Sequence, residues 1–270
     1  MRGLCPQSIG ELMNPDWKNR YDFAIEITQR AGNEARKIYD STFTVEWKED
    51  RSPVTVADRN AEKLIREAVA KSFPGDGFLG EEYGDQPGTT GYRWIIDPVD
   101  GTKSFVRKVP MWGTLVGLEY QDESIAGVVY MPNYGELWHA LRGHGAYHHE
   151  RRIRVSDVSD LSRSMITYSS INWFEKNGCK DQFLELMTKT DRQRGYGDFY
   201  GFCLVAQGSC EIMIDHGVHA WDVAAVKPIV EEAGGRFTNW SGTPTIHSPD
   251  VIATNGQVHK AVLEIVNRKN

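Results

Sequence analysis

Acidic residues recur where the apolar runs of this sequence stop. Trp94-Ile95-Ile96 reads as a buried strand, and Asp97-Pro98-Val99-Asp100-Gly101-Thr102 follows it directly. Proline disfavours helix in the residue before it and lacks a backbone donor, so the strand is expected to break at Asp97-Pro98, and a short helix can open at Asp100-Gly101-Thr102. Two carboxylates then stand three residues apart at a strand end. A glycine beside them admits a close approach to the backbone, and a threonine hydroxyl lies next to it. Phe78-Leu79 stops the same way, at Gly80-Glu81-Glu82. Asp222 follows Trp221 at the start of a helical pattern, and Asp58 lies in the first turn of another.

Each acid has an ordinary explanation when taken alone. Asp97 can be a turn acid, Asp58 a charge that complements a helix dipole, and Asp222 a helix cap. Taken together, Glu81, Asp97, Asp100 and Asp222, with Asp58 behind them, form a set that would repel itself and raise its own pKa values unless cations neutralise it. Magnesium suits such a set, because it takes oxygen ligands and keeps waters. No histidine or cysteine belongs to the set, which disfavours zinc. Two such ions can clamp a phosphate and lower the pKa of a bound water for in-line attack. The amide N–H groups of Gly101 and Thr102 can meet phosphate oxygens.

The elements that must position these residues follow from periodicity. Phe23, Ile27, Ala31, Ala35 and Ile38 mark a helix from about Asn14-Pro15-Asp16 to Tyr39, preceded by a loose tail. A strand is predicted over Thr42 to Trp47, a polar link over Lys48 to Pro53, and a second helix over Val56 to Phe73. Residues 85 to 91 read as a loop. Thr114–Tyr120 and Ile125–Tyr130 flank Gln121-Asp122-Glu123-Ser124, a hairpin with a four-residue loop. Short strands are expected near Glu136–Leu141 and Ala146–His148, giving an antiparallel sheet covered by two helices. His144, His148 and His149 lie around a glycine-rich turn and a strand end and read as surface histidines.

A boundary is expected near Arg151–Ser156, dividing an N-terminal α+β half (1–153) from a C-terminal α/β half (154–270). In the second half, strands at Ser164–Ser169, Cys210–Asp215, Arg236–Thr238 and Val251–Thr254 alternate with helices at Asp181–Lys189, Asp198–Gln207, Trp221–Ala233 and Val258–Asn267. Pro228 falls inside the Trp221 helix, where it is expected to remove a hydrogen bond and kink the chain. A cleft between the halves is the expected place for a ligand.

Composition limits the function classes. The 270 residues are enough for a sizeable core, and 40% apolar with 25% charged residues is a soluble globular balance. A net charge of −6 argues against a nucleic-acid binder. No membrane-length run and no signal-peptide core is present, so a cytoplasmic location is expected. Cys5, Cys179, Cys203 and Cys210 make no CxxC pair and read as free thiols.

Four segments carry a resemblance: SPVTVAD at 52–58, GEE at 80–82, WIIDPVDGT at 94–102 and WDVAAVKPIVEEAGG at 221–235. In order and spacing, over about residues 20 to 260, the chain resembles the inositol monophosphatase superfamily of Mg2+-dependent, lithium-sensitive phosphatases. The resemblance implies a layered αβαβα sandwich and a homodimer. It implies two or three Mg2+ per site, with Glu81, Asp97, Asp100, Asp222 and the carbonyl of Val99 as ligands. It implies that Thr102 and Glu81 orient the attacking water, and that Asp58 serves a third, weaker metal site.

Two stretches bear on the phosphate monoester. Lys103-Ser104-Phe105 stands where inositol enzymes usually carry Thr-Asn, and it resembles the histidinol-phosphatase and adenosine bisphosphate phosphatase branches. Tyr196-Gly197-Asp198-Phe199-Tyr200 resembles the histidinol-phosphate phosphatases. Histidinol phosphate carries an amine, and carboxylates at Asp198 and Asp215 can pair with that cation. Lys103 can offset the acidic cleft or touch substrate, and Asp198 can equally be a helix cap. A broad inositol-1-monophosphatase, a 3'(2'),5'-bisphosphate nucleotidase and a non-catalytic binding protein are the alternatives.

Overall fold

The computed structural model describes residues 14–47 and 53–268. The N-terminal tail, Cys5 and the polar link at 48–52 lie outside the described residues. The first half runs α1 (Pro15–Tyr39), β1 (Val45–Trp47), β2 (Pro53–Thr55), α2 (Val56–Ser72), β3 (Gly77–Gly80), β4 (Gly84–Gln86), β5 (Tyr92–Asp100), α3 (Thr102–Val106), β6 (Gly113–Tyr120), β7 (Glu123–Met131), β8 (Glu136–Leu141), β9 (Gly145–His148) and β10 (Arg151–Ile153). The second half runs β11 (Met165–Tyr168), α4 (Ile171–Lys176), α5 (Lys180–Lys189), β12 (Arg192–Arg194), α6 (Asp198–Ala206), β13 (Ile212–His216), α7 (Ala220–Val223), α8 (Val226–Glu232), β14 (Arg236–Thr238), β15 (Asp250–Thr254) and α9 (His259–Val266).

Eight strands form one sheet in the order β10-β9-β8-β7-β6-β5-β3-β4, and five form a second, β12-β11-β13-β15-β14. Both faces of the large sheet are covered, so its central strands read as unbroken apolar runs. Alternation divides them. Trp94, Ile96, Val116 and Val128 face Ile27, Ala31, Ile65 and Val69 of α1 and α2. Ile95, Leu115 and Val129 face the other way, toward Phe199, Phe202, Val226 and Ile229 of α6 and α8. Met213 and Ala253 of the second sheet close that same middle core, which draws on both halves of the chain. Ile166, Ile212, Ile214 and Ile252 then meet Phe183, Leu186, Val262 and Ile265 of α5 and α9. The result is the layered αβαβα sandwich.

Five local expectations are corrected. The hairpin loop has two residues rather than four: Tyr120 pairs with Glu123, and Gln121 and Asp122 have φ of 52° and 63°. Positive φ at both positions is the turn whose twist matches the flanking strands. The segment read as a loop over 85 to 91 begins within β4, which pairs antiparallel with β3. The sheet is not wholly antiparallel, because β3 pairs parallel with β5 after the chain has passed through β4.

The strand does not end at Asp97-Pro98 either. β5 continues to Asp100 through a bulge, with Asp97 opposite Leu115 and Asp100 opposite Gly113. A bulge is one of the few places inside a sheet that tolerates a proline.

The fifth correction concerns the helix expected over Trp221–Ala233. It is two helices, α7 and α8, meeting at Ala224-Ala225. Pro228 is the third residue of α8, where the first-turn N–H has no helical partner, so it costs no hydrogen bond there. The junction rests on a cross-strand glycine pair, Gly117 opposite Gly127. A Cβ on Gly127 would stand 1.9 Å from the Ala225 carbonyl oxygen, and one on Gly117 2.6 Å from the Ala224 Cβ. Only bare backbone lets this junction reach the sheet.

Candidate active site

The bulge in β5 explains how two acids three residues apart share one side of a sheet. In a regular strand an odd spacing puts side chains on opposite faces. Here Pro98 and Val99 together face the single residue Thr114, whose hydroxyl donates to the Pro98 carbonyl at 2.8 Å. The extra residue resets the alternation. The Asp97 Oδ1 accepts from the Val99 N–H at 3.1 Å, which fixes the carboxylate within the bulge.

Asp222 arrives from the other half as the third residue of α7. Its Oδ2 accepts the His219 N–H at 2.7 Å, so it is a helix cap and a cleft residue at once. Carboxylate oxygens of Asp97, Asp100 and Asp222 lie within 4.8 Å of one another, a spacing that can hold a metal ion. Burial pushes Asp97 well above the usual carboxylate range, and the charges of Glu81, Asp100 and Asp222 push it further. Burial does the same to Asp100, with Asp198 and Asp222 adding to it and the Phe199 N–H opposing it. These acids are assembled at the cost of mutual repulsion, the condition that a hard divalent cation relieves.

Glu81 follows β3, and its N–H donates to the Ile96 carbonyl at 3.2 Å. Its loop is pinned from below by Glu62, fully buried on α2. Glu62 accepts from the Glu82 N–H at 2.8 Å and is paired with Arg66 at 2.7 Å. A Cβ on Gly80 would fall 1.9 Å from a Glu62 oxygen, so a glycine is required just before Glu81. The sequence held a signal for Glu62, an acid on the apolar face of a helix four residues after Asp58, and the reading passed over it.

Asp58 caps α2 in its own first turn. Its Oδ2 accepts from the Thr55 N–H at 2.8 Å and hydroxyl at 2.7 Å. Burial still pushes it up to about 6. Its Oδ1 faces the Thr102 hydroxyl at 3.3 Å, and that hydroxyl is 3.0 Å from the Val99 carbonyl. Asp58 is therefore a helix cap whose other oxygen reaches the Thr102 hydroxyl of the cleft.

A cleft of about 390 Å³ is lined by Glu81, Asp97, Val99, Asp100, Gly101, Thr102, Lys103, Asp198, Asp215 and Asp222. Every residue singled out from the sequence is in that wall except Asp58, which stands behind Thr102. Gly101 has φ of 85°, a left-handed turn that carries the chain from β5 into α3.

Asp198 is not the cap of α6, a position held by Gly197. It is the first helical residue, with φ of 52°, and its side chain caps nothing. Burial raises its pKa, Asp222 adds to that and Lys103 opposes it. Asp215 lies at the end of β13, and burial pushes it up to about 7. Ser169 joins the two: its Oγ accepts the Asp198 N–H at 2.9 Å and donates to the Asp215 Oδ2 at 2.5 Å. Ser169 was missed because nothing local to it signals partners 29 and 46 residues away. Trp173 of α4, an element absent from the sequence reading, packs on Gly217 at the cleft wall.

Comparison with known proteins identifies the family. The sequence profile of the family described as "Inositol monophosphatase family" matches residues 16–270. A protein named histidinol-phosphatase from Mycobacterium tuberculosis is 38% identical over 250 residues, 90% of this chain and 96% of that one. One of the same name from Streptomyces coelicolor is 41% identical over 234 residues, 83% of this chain and 88% of that one. Among solved structures, the extragenic suppressor protein suhB from Bartonella henselae superposes with a TM-score of 0.88 at 28% identity. That match covers 93% of this chain and all of the other.

Proposed function

The chain belongs to the inositol monophosphatase family, and from that premise we propose that it is a Mg2+-dependent phosphatase that hydrolyses histidinol phosphate to histidinol. Asp198 carries the choice of substrate. Its carboxylate lies in the wall of the cleft that holds the acidic cluster, and it accepts no hydrogen bond from the described residues. An anion presented in this way suits a substrate amine. An inositol ring has hydroxyls and no cation to meet it. The names of the Mycobacterium and Streptomyces relatives support the same substrate.

The donor set fits Mg2+, being all oxygen, with two nearly inaccessible carboxylates and a third from the facing half. Asp97, Asp100, Asp222, Glu81 and the Val99 carbonyl would hold it, with Asp58 serving a third ion. When bound, it supplies charge neutralisation and a water of lowered pKa. The chain does the rest. Thr102, held between the Val99 carbonyl and Asp58, and Glu81 orient the attacking water. The N–H groups of Gly101 and Thr102 meet phosphate oxygens at the start of α3, and Lys103 beside them offsets the acidic wall. Asp198 takes the amine, and Asp215 supports it through Ser169. The acidic net charge of −6 accords with a small-molecule substrate rather than nucleic acid. The same reading takes the enzyme as a cytoplasmic homodimer.

Phosphate release from histidinol phosphate and from inositol 1-phosphate, with Mg2+, on wild type and Asp198→Asn, tests this. A strong preference for histidinol phosphate that the variant loses supports it. Comparable rates, indifferent to the substitution, leave an inositol-type phosphatase in its place.

A further inference from the structure

Outside the phosphatase cleft, three side chains with metal-binding atoms meet at one end of the β8–β9 pair. Glu136 opens β8, His148 closes β9 and His149 follows it. Neighbours in a strand point to opposite faces. His149 instead leaves β9 with φ of 52°, a region an L side chain adopts only at a cost. Its ring comes to lie beside that of His148, with centroids 4.8 Å apart. Both Nε2 atoms turn to the same oxygen, Oε2 of Glu136, His149 at 3.1 Å and His148 in direct contact. One atom from each residue lies within 4.8 Å of the other two. The sequence reading took these as surface histidines; the carboxylate that meets two of them, Glu136, is brought in by the neighbouring strand.

The rings are held in place by their surroundings. Trp138 stacks on His148 at 4.8 Å and 8°, and its Nε1 donates to the Gln207 Oε1 at 3.0 Å. The His149 N–H donates to the Leu137 carbonyl at 2.8 Å, and the His149 carbonyl meets the His139 Nε2 at 2.9 Å. His139 is itself fixed by the Tyr21 hydroxyl. Preorganised ligands of this kind lose little freedom on binding an ion. Side-chain exposures of 21% for His148, 51% for His149 and 37% for Glu136 leave a route in.

We propose that Glu136, His148 and His149 form a second metal site, selective for Zn2+ over Mg2+. Two imidazoles and one carboxylate make a three-ligand set that zinc takes tetrahedrally, leaving a fourth position for water or another ligand. Magnesium prefers oxygen ligands throughout, and the carboxylates of the cleft suit it where the two imidazoles of this cluster do not. The two sites therefore divide the metals by donor chemistry. Trp138 also meets Tyr200 of α6 edge-on at 6.1 Å, so an ion here would brace the β8–β9 pair against the helix that begins at Asp198.

Zn2+ uptake in excess Mg2+ tests the proposal, on wild type and on a chain carrying both His148→Ala and His149→Ala. Wild type is expected to keep one tightly held Zn2+ that the double variant lacks, while Mg2+-dependent phosphatase activity and circular dichroism stay as in wild type. Equal uptake by both chains overturns the site. Should the double variant fold poorly, Co2+ bound to wild type in excess Mg2+ decides. Strong visible bands of tetrahedral coordination support the site, and the weak spectrum of an octahedral oxygen site overturns it. Glu136→Gln is expected to weaken Zn2+ retention at least tenfold.

Discussion

The backbone N–H of Phe199 donates to Oδ2 of Asp100 at 2.7 Å, joining residues 99 positions apart. It fastens the end of β5 in one half to the first turn of α6 in the other. The bond leaves the second Asp100 oxygen for the acidic cluster. It also sets Asp198, the residue before Phe199, at the rim of the same cleft. The acidic cluster and the segment that carries Asp198 are thus tied by one bond.

Two substitutions at Asp100 separate its roles. Asp100→Asn keeps an oxygen for the Phe199 N–H but removes the charge, so Mg2+-dependent turnover should collapse while the fold stays stable. Asp100→Ala also strands a buried N–H, which costs a further ~1–3 kcal/mol. Urea unfolding of the two variants measures the difference, and equal stabilities would show that the Phe199 bond contributes nothing.

Ser169→Ala should act on recognition and spare the chemistry. It removes the hydroxyl between the Asp198 N–H and Asp215. A net hydrogen bond is worth about 0.5–1.5 kcal/mol, so KM for histidinol phosphate should rise about 2- to 10-fold. The rate on a simple aryl phosphate, which has no amine, should hold. A parallel loss on both substrates would place Ser169 in the catalytic step instead.

Stability in the absence of Mg2+ should carry the signature of Asp215. Burial raises this acid from 3.8 to about 7, so the folded chain binds its proton more tightly than the unfolded chain. Its contribution is therefore fully present below the unfolded value and is lost as pH rises through about 7. The slope is at most about 1.4 kcal/mol per pH unit for one group. Unfolding free energies measured from pH 4 to 8 on wild type and Asp215→Asn give the test. The variant should lose this decline, and identical profiles would refute it.

Gly127→Ala should disturb a site whose residues it does not touch. The new Cβ would press on the Ala225 carbonyl, and the α7–α8 junction must lift from the sheet. Overpacking of this kind costs about 1–3 kcal/mol. Asp222, three residues before Ala225, moves with the junction. Thermal unfolding should come earlier, and the Mg2+ concentration for half-maximal activity should rise. An unchanged Mg2+ requirement would mean that the glycine pair does not position Asp222.

The sequence by itself determined the acidic set and most of the elements that carry it. Those signals are local: an apolar run stopped by Gly-Glu or Asp-Pro, a helical period interrupted by Gly-Gly, an acid in a first turn. Glu81, Asp97, Asp100 and Asp222 could be named because a charge stands where an apolar run gives way or a helical pattern begins. What the tertiary structure alone decided depends on contacts between distant residues. The bulge that brings Asp97 and Asp100 to one face depends on how β5 registers with β6. The break between α7 and α8 depends on two glycines about a hundred residues upstream. Ser169 finds Asp198 and Asp215, and Glu136 finds His148 and His149, only when separate strands are laid side by side. Periodicity records which face a residue presents to the core. It carries no record of which other residue waits on the strand across from it, and that choice is made by the packing of the sheets.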